Sequence, residues 1–433
     1  MAHTASGRSP WIASTIAMAL LILAGEAIFL LPFVLARVFR PTFLAVFGIN
    51  NFELGLIFSV YGLVAIPAYL FGGPLADRFP ARKLMAVALA STSGLGFLLA
   101  TIPSFDQLRW IYGGWGLTTI LLFWAALLRA TREWGGDRLQ GTAYGLLDGG
   151  RGLISAVIGT TTVAIFAFFL PTDLEVATVD MRGAAFRQVI LFVASFVLLI
   201  AVLVWIGLRP RQSGVGGGGH RISLPDLARV ARMPNVWLQA VIIVCAYTGY
   251  KVTDDFSLFA KEVMGYDEIR AANFGTLSLW VRPVATVGAG LLADRLSASR
   301  MILVCFAVMI AGGLAVGLGG MDPGLPGLFV LTILATSAGL FALRGLYFAL
   351  TQEGKVPLAL TGTAIGLMSV IGYTPDIFMG PLMGHLLDRS PGATGHQHVF
   401  LMMAGFASLG LLTTLVFRGV IRRKRVLEGE GIE

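Results

Sequence analysis

The chain has 433 residues, of which 56% are hydrophobic and 13% charged, with a mean hydropathy of +0.80 and a formal net charge of +8. Soluble domains carry about a quarter charged residues, so this composition excludes an ordinary water-soluble protein. The positive charge calls for no nucleic acid, because membrane topology and attraction to anionic lipid account for it.

Apolar runs of roughly 20 residues, the length that crosses a bilayer core, recur twelve times. They fall near 11–38, 52–76, 83–103, 108–131, 142–170, 186–208, 236–260, 271–293, 301–320, 326–350, 361–387 and 399–420. An all-α integral membrane protein with twelve transmembrane helices is predicted. The first run exceeds a signal-peptide core of about 7–15 residues and is expected to be a retained helix. No substantial soluble domain fits between the runs.

With the N-terminus inside, most Lys and Arg fall on cytoplasmic segments, among them Arg78, Arg82, Lys83, Arg129, Arg132, Arg209, Arg211, Arg229, Arg232 and Arg422 to Arg425. That bias predicts cytoplasmic termini. Residues 209–235 change character. Gly216 to Gly219 are expected to form a flexible stretch, and Ser223-Leu224-Pro225-Asp226 reads as a capped start to a short amphipathic helix on the inner membrane surface. The expected organisation is therefore a six-helix bundle over 1–208, a cytoplasmic linker over 209–235, and a second bundle with a basic tail over 236–433.

The two halves echo each other. Leu75-Ala76-Asp77-Arg78 returns as Leu292-Ala293-Asp294-Arg295, 217 residues later. Gly141-Thr142-Ala143-Tyr144-Gly145-Leu146 returns as Gly362-Thr363-Ala364-Ile365-Gly366-Leu367, 221 residues later. Duplicated helix bundles are the usual plan of carriers whose halves rock about a central site. Phosphate-loop, zinc-protease, nucleophile-elbow and Cys-x-x-Cys patterns are all missing, so no enzyme chemistry, cofactor or metal is expected. Cys245 and Cys305 lack metal-ligand spacing, and His396 and His398 fall in an expected outer loop with too few further ligands. His385 is placed near a cytoplasmic helix end, more structural than catalytic.

The segment Gly73-Pro74-Leu75-Ala76-Asp77-Arg78-Phe79-Pro80-Ala81-Arg82-Lys83 resembles the loop between the second and third helices of the major facilitator superfamily, G-x-L-A-D-R-x-G-R-[RK]. Pro80 and Ala81 stand where that pattern has Gly and Arg. Arg109 with Gly113 looks like the family's fourth-helix motif. The copy Gly290-Leu291-Leu292-Ala293-Asp294-Arg295, and the run Gly380-Pro381 to Gly384 and Asp388, strengthen the likeness. The resemblance implies two pseudo-symmetric six-helix bundles working by alternating access, with helices one, four, seven and ten lining the cavity. The fifth helix lacks the G-x-x-x-G-P-x-x-G-G run typical of the family's drug antiporters. Asp77, Arg78 and Arg82, with Asp294 and Arg295, are the expected gate, pairing across the inner gap when the outer face is open.

Nine ionisable residues lie well inside predicted helices: Glu26, Asp148, Arg151, Lys251, Asp254, Asp255, Arg282, Arg344 and Asp376. At about 2.5–3.5 kcal/mol each, their exposure to lipid would cost roughly 20–30 kcal/mol. They must pair or border water. Arg282, Arg151, Arg344, Tyr247, Lys251 and Tyr373 are the expected substrate contacts, since an arginine fork suits an anionic group. Glu26, Asp254 and Asp376 are the expected proton carriers. Competing internal pairs are Arg282 with Asp376, Glu26 with Arg344 or Lys251, and Asp148 with Arg151. Asp254 and Asp255 approach the outer interface, where exposure is the rival explanation, slightly favoured for Asp255. Trp110, Trp115, Trp124 and Trp134 are assigned to interfacial anchoring. Glycines 149, 150 and 152 are expected to interrupt helix five, and Gly372 to Pro375 to interrupt helix eleven.

The expected function is proton-coupled secondary transport of a small polar, anionic solute by a monomer in a bacterial inner membrane. Export of amphipathic or drug-like compounds is one alternative, and a transporter-fold sensor that binds without transport is another.

Overall fold

The computed structural model describes residues 10–136, 139–173, 176–208, 224–357 and 360–427. Within these, the side chains of residues 10–13, 140–141, 224, 294–295 and 424–427 lie outside the description. The predicted glycine stretch 216–219 and the Ser223 cap lie outside the described residues, but the short helix that follows is present as Leu224–Ala231.

Among the described residues, twelve membrane segments follow in chain order. They are α1 Ser14–Val38, α2 Asn51–Arg78, α3 Ala81–Leu99, α4 Phe105–Gly135, α5 Gln140–Phe169 and α6 Val179–Gly207, then α7 Pro234–Glu262, α8 Glu268–Leu296, α9 Ala298–Gly317, α10 Pro326–Leu346, α11 and α12 Ala393–Leu427. Eleven are long and apolar enough to cross a bilayer as single helices. The remaining one, α11, is built of two pieces, Thr361–Gly372 and Pro375–Arg389. Pro375 donates no amide hydrogen bond, and the chain there tightens to i→i+3 bonds, Thr374 N–H to Ile371 O at 3.1 Å and Asp376 N–H to Tyr373 O at 3.0 Å.

Helix starts are chemically marked. Asn50 and Glu53 form a capping box at α2, Ser104 and Gln107 form another at α4, and the Asp267 carboxylate accepts from the Arg270 amide at α8. Between α1 and α2 the short helix Arg40–Phe47 ends at Gly48, whose φ of 61° is left-handed and free of strain only for glycine. Several helices extend further than their apolar runs. α12 begins at Ala393, so His396 and His398 are helical rather than in a loop. Polar first turns outside the bilayer core escape a hydropathy criterion.

Alternating chain direction brings the starts of α1 and α7 and the ends of α2, α8 and α12 to one face. We call it the terminal face, and the opposite one the distal face. Two hydrophobic cores organise the chain. One belongs to α1–α6, joined by Ala272 and Leu279 of α8; the other belongs to α7–α12.

The bundles meet along two pseudo-symmetric seams, α2 with α11 and α5 with α8. In the first, a Cβ on Gly55 would collide with the backbone of Gly380, and one on Gly384 with that of Asn51. Small residues permit this closeness. In the second, a Cβ on Gly159 would lie 3.0 Å from Leu279 and one on Gly152 3.2 Å from the Pro283 nitrogen. α5 is unbroken through Gly149, Gly150 and Gly152, contrary to expectation. Those glycines admit Ile22 of α1 and the Arg282–Pro283 segment of α8, so they are contact positions and not breaks. Toward the terminal face the packing loosens: at Gly145, Gly288, Gly290, Gly362 and Gly366 an added Cβ would meet nothing within 4 Å.

The tight seam makes a prediction. Gly55→Leu should prop the distal side apart, raising the reactivity of a cysteine placed at Ser257 toward an impermeant maleimide. Unchanged labelling would show that the seam does not hold this side closed.

Candidate functional site

A cavity lies between the bundles at mid-depth. It is bordered by α1, α2, α4 and α5 on one side and by α7, α8, α10 and the α11 break on the other. Two of its walls carry a π-helical turn, Leu30–Val34 in α1 around Pro32 and Leu117–Trp124 in α4. Such widened turns recur at functional sites because they re-aim side chains. Here they bring Phe33, Ile120 and Trp124 to the cavity wall. Trp124 is therefore a cavity residue and Trp115 is fully buried, its indole donating to Thr92 O, while Trp110 alone of the four is 82% exposed.

Charges around the cavity sort into two groups. In the first, Glu26 of α1 pairs with Arg282 at 3.2 Å and with Arg151 at 3.3 Å. Asp148 pairs with Arg282 at 3.3 Å and Arg151 at 3.7 Å. The partners expected for Arg282 (Asp376) and for Glu26 (Arg344 or Lys251) are thus replaced by this neutral quartet. α5 and α8 cross at the Gly152 contact, which fixes Arg151, Asp148 and Arg282 on facing surfaces. Arg151 also donates to the Gly25 carbonyl at 3.0 Å.

In the second group Asp254 binds Arg37 at 2.5 Å and Lys251 at 3.8 Å, and Lys251 reaches Asp376 at 3.2 Å. The Tyr247 hydroxyl donates to Asp376, at 3.2 Å from both carboxylate oxygens. Tyr247, Lys251 and Asp254 share one helical face, as their spacing predicts. The Lys251 ammonium also lies 4.8 and 5.0 Å from the Phe58 and Phe33 ring centroids.

Arg344 of α10 differs. It lines the cavity, half-buried, with its guanidinium 3.9 Å from the Tyr250 ring centroid. Its Nη1 has no hydrogen-bond partner, and among the described residues no carboxylate pairs with it. With all groups in their ordinary ionised forms, Arg37, Arg151, Lys251, Arg282 and Arg344 supply five positive charges and Glu26, Asp148, Asp254 and Asp376 four negative ones. One positive charge is left over, on Arg344.

Tyr373, at the α11 break, joins α2 to the second bundle: its ring stacks on Tyr69 at 5.8 Å and meets Tyr247 edge-on at 5.0 Å. Its hydroxyl lies 3.2 Å from that of Tyr347.

On the distal side the cavity is sealed by polar contacts between bundles. Besides Arg37–Asp254, the Arg40 guanidinium donates across the boundary to the Asp254 carbonyl at 3.5 Å, and within its own bundle to Asn51 Oδ1 at 2.9 Å. Asp388 accepts from the Asn51 amide and side chain and from the Phe52 amide at 2.8 Å, an anion on the N-terminus of α2. Glu268 pairs with Arg182 at 3.2 Å. His385 therefore sits with Asp388 at the distal end of α11, not near the helix ends that carry Asp77, where it was expected.

The expected gate residues stand apart from the cavity. Asp77 and Arg78 are exposed at the terminal end of α2, and Asp77 makes no ion pair among the described residues. Arg82 lies over the Trp205 ring at 5.5 Å. The side chains of Asp294 and Arg295 are outside the described residues.

Asp255 is 0% exposed, which overturns its expected interfacial position. Its Oδ2 lies 2.7 Å from His396 Nδ1, and His396 Nε2 lies 3.3 Å from Glu262. Removing one member of a buried charged pair costs about 3–5 kcal/mol. His396→Ala should lower the thermal unfolding temperature of the detergent-solubilised protein accordingly, and an unchanged midpoint would remove the cluster from the list of α7–α12 ties.

Sequence inspection missed Arg37, Tyr61, Tyr69 and Tyr250 as site residues. For Arg37 a signal existed: it stands 217 residues from Asp254, the offset of the Leu75 repeat.

Two helical bundles enclosing a charged cavity at mid-membrane, sealed on one side and loosely packed on the other, form a secondary transporter. The chain belongs to the Major Facilitator Superfamily, whose family model matches residues 12–375. It is 27% identical to the inner membrane protein YqcE of Escherichia coli K12, over 86% of each chain. It is 25% identical to the 3-(3-hydroxy-phenyl)propionate transporter of the same organism, over 88% of each. Among solved structures it resembles a bacterial homologue of the human lysosomal transporter Spinster in an inward-facing, unoccupied conformation. The TM-score is 0.74 at 15% identity, covering 96% of this chain and 99% of that one.

Proposed function

We propose that the protein moves a small organic anion across a bacterial inner membrane by alternating access, with protons as the coupling ion. The observation that carries the anion is Arg344, a half-buried guanidinium in the cavity with no carboxylate partner among the described residues. The membrane assignment draws on YqcE, named an inner membrane protein. A relative named as carrying a phenylpropionate, itself a carboxylate, supports the same choice of charge.

In this reading the terminal face is cytoplasmic, following the bias of Lys and Arg. The sealed distal face is then the outer one, and the described state opens inward. Asp77 and Arg78 have no ion pair among the described residues, and their cross-gap contacts are assigned to the opposite state. The chain works as a monomer with lipid around it.

Coupling is assigned to Asp254 and Asp376, which share Lys251. Protonating either one leaves a buried cation without its counter-ion. Glu26 is the third candidate, and it is paired with both Arg151 and Arg282.

Uptake of radiolabelled organic acids by proteoliposomes, with and without an inward proton gradient, tests the proposal. Accumulation that collapses on adding a protonophore is expected. Gradient-independent uptake would remove the proton, and binding without flux would contradict transport.

A further inference from the structure

We propose that the cargo is a planar aromatic monoanion, its carboxylate on Arg344 and its ring against the tyrosines beside it; this rests on the anion reading above. Three observations converge on it.

The first is charge. With its four carboxylates ionised, the cavity keeps a single positive charge, so one carboxylate neutralises the site. A dianion would leave it negative by one, in surroundings where an uncompensated charge is costly.

The second is the posture of Arg344. Its guanidinium is stacked on Tyr250 at 3.9 Å, and 5.7 Å from the Tyr247 centroid. Stacking occupies a face of the planar fork and leaves its edge, where Nη1 has no partner, available to a carboxylate.

The third is the row of rings that continues from that arginine. Tyr250 and Tyr247 are 5.4 Å apart, Tyr247 and Tyr373 5.0 Å, and Tyr373 and Tyr69 5.8 Å. Each touches its neighbour in the tilted, edge-on or offset arrangements that aromatic pairs prefer. The row begins in α7, passes the break in α11 and ends in α2, so it crosses from one bundle to the other. An aromatic cargo on this row would contact both bundles at once, and its ring would take part in the contact that changes as they rock. A neutral sugar would bring no charge to Arg344, and an aliphatic acid would forgo the ring–ring contacts.

Calorimetric titration of the purified full-length protein in nanodiscs tests the idea with four probes of similar size. Benzoate is a planar monoanion, cyclohexanecarboxylate a non-planar one, benzamide is uncharged and phthalate is a dianion. Benzoate should bind best. Cyclohexanecarboxylate should be about two- to tenfold weaker for want of ring contacts, and benzamide at least roughly tenfold weaker for want of charge. Phthalate should also be weaker than benzoate. Tyr373→Leu and Tyr69→Leu should each shrink the ratio of benzoate to cyclohexanecarboxylate affinity, a readout that overall loss of fold does not mimic.

Equal binding of the two monoanions would overturn the aromatic proposal and leave the anion reading standing. Benzamide binding as well as benzoate would overturn both. Tighter phthalate binding would overturn the charge count, and binding of none of the four would overturn the proposed class.

Discussion

Arg344→Gln is expected to abolish transport of the anion while leaving the protein as stable as before. A hydrogen bond to a charged group contributes about 1.5–3 kcal/mol, so binding should weaken roughly 10- to 150-fold. Stability should hold because the substitution removes a charge that no carboxylate compensates. The contrast is Arg282→Gln. That change strips one arginine from a quartet containing Glu26 and Asp148, leaving a buried carboxylate undercompensated. It should lower the unfolding temperature as well as activity. Measuring anion affinity and thermal midpoint for both variants checks the pair of outcomes. Loss of stability in Arg344→Gln, or retained affinity, would show that Arg344 is structural.

Asp254→Asn is expected to open the distal seal. Asp254 holds Arg37 of the opposite bundle at 2.5 Å and lies 3.8 Å from Lys251 of its own helix. Neutralising it leaves two buried cations facing one another across the bundle boundary. Breaking such a pair costs about 3–5 kcal/mol, enough to shift a two-state equilibrium by roughly 150- to 5,000-fold. A cysteine replacing Ser257, whose hydroxyl donates to the Arg37 carbonyl at 2.8 Å, reports the change through its reactivity with an impermeant maleimide. Labelling should rise sharply in Asp254→Asn. It should fall back in part when Arg37→Gln is added, because the orphaned cation is then gone. Unchanged labelling in the single variant would take Asp254 out of the seal.

Asp254 also shows how far the amino-acid sequence alone reaches. The twelve spans follow from hydropathy, and the duplication from two echoes near 220 residues. Applied to Arg37, the 217-residue offset lands on Asp254, so the strongest contact of the seal joins corresponding positions of the two halves. The break in α11 is legible too, because Pro375 withholds a hydrogen-bond donor wherever it stands.

The glycines of α5 are another matter. A glycine inside a membrane helix serves equally as a hinge or as a place where a neighbour approaches, and only Ile22, Arg282 and Pro283 decide between them. Pairing of the buried charges is likewise a property of the assembled bundles. Every one of the nine lies on a helix whose rotation the sequence leaves open. Glu26 therefore found Arg151 and Arg282, and Asp255 found His396 at the far end of the chain. Arg37 escaped notice because it sits in the last turn of its apolar run, where exposure to the interface is the ordinary expectation.

The central claim is that one cavity serves both faces in turn, through reciprocal motion of the two bundles. Electron–electron distance measurements in nanodiscs test it directly, with one pair of spin labels at Asp106 and Asp322 on the distal face and another at Lys83 and Arg300 on the terminal face. All four positions are exposed, whereas Cys245 and Cys305 are buried and should stay unlabelled. Titrating in the transported anion should lengthen the distal distance and shorten the terminal one over the same concentration range. Distances that stay fixed while solute crosses, or that lengthen together, would contradict the account.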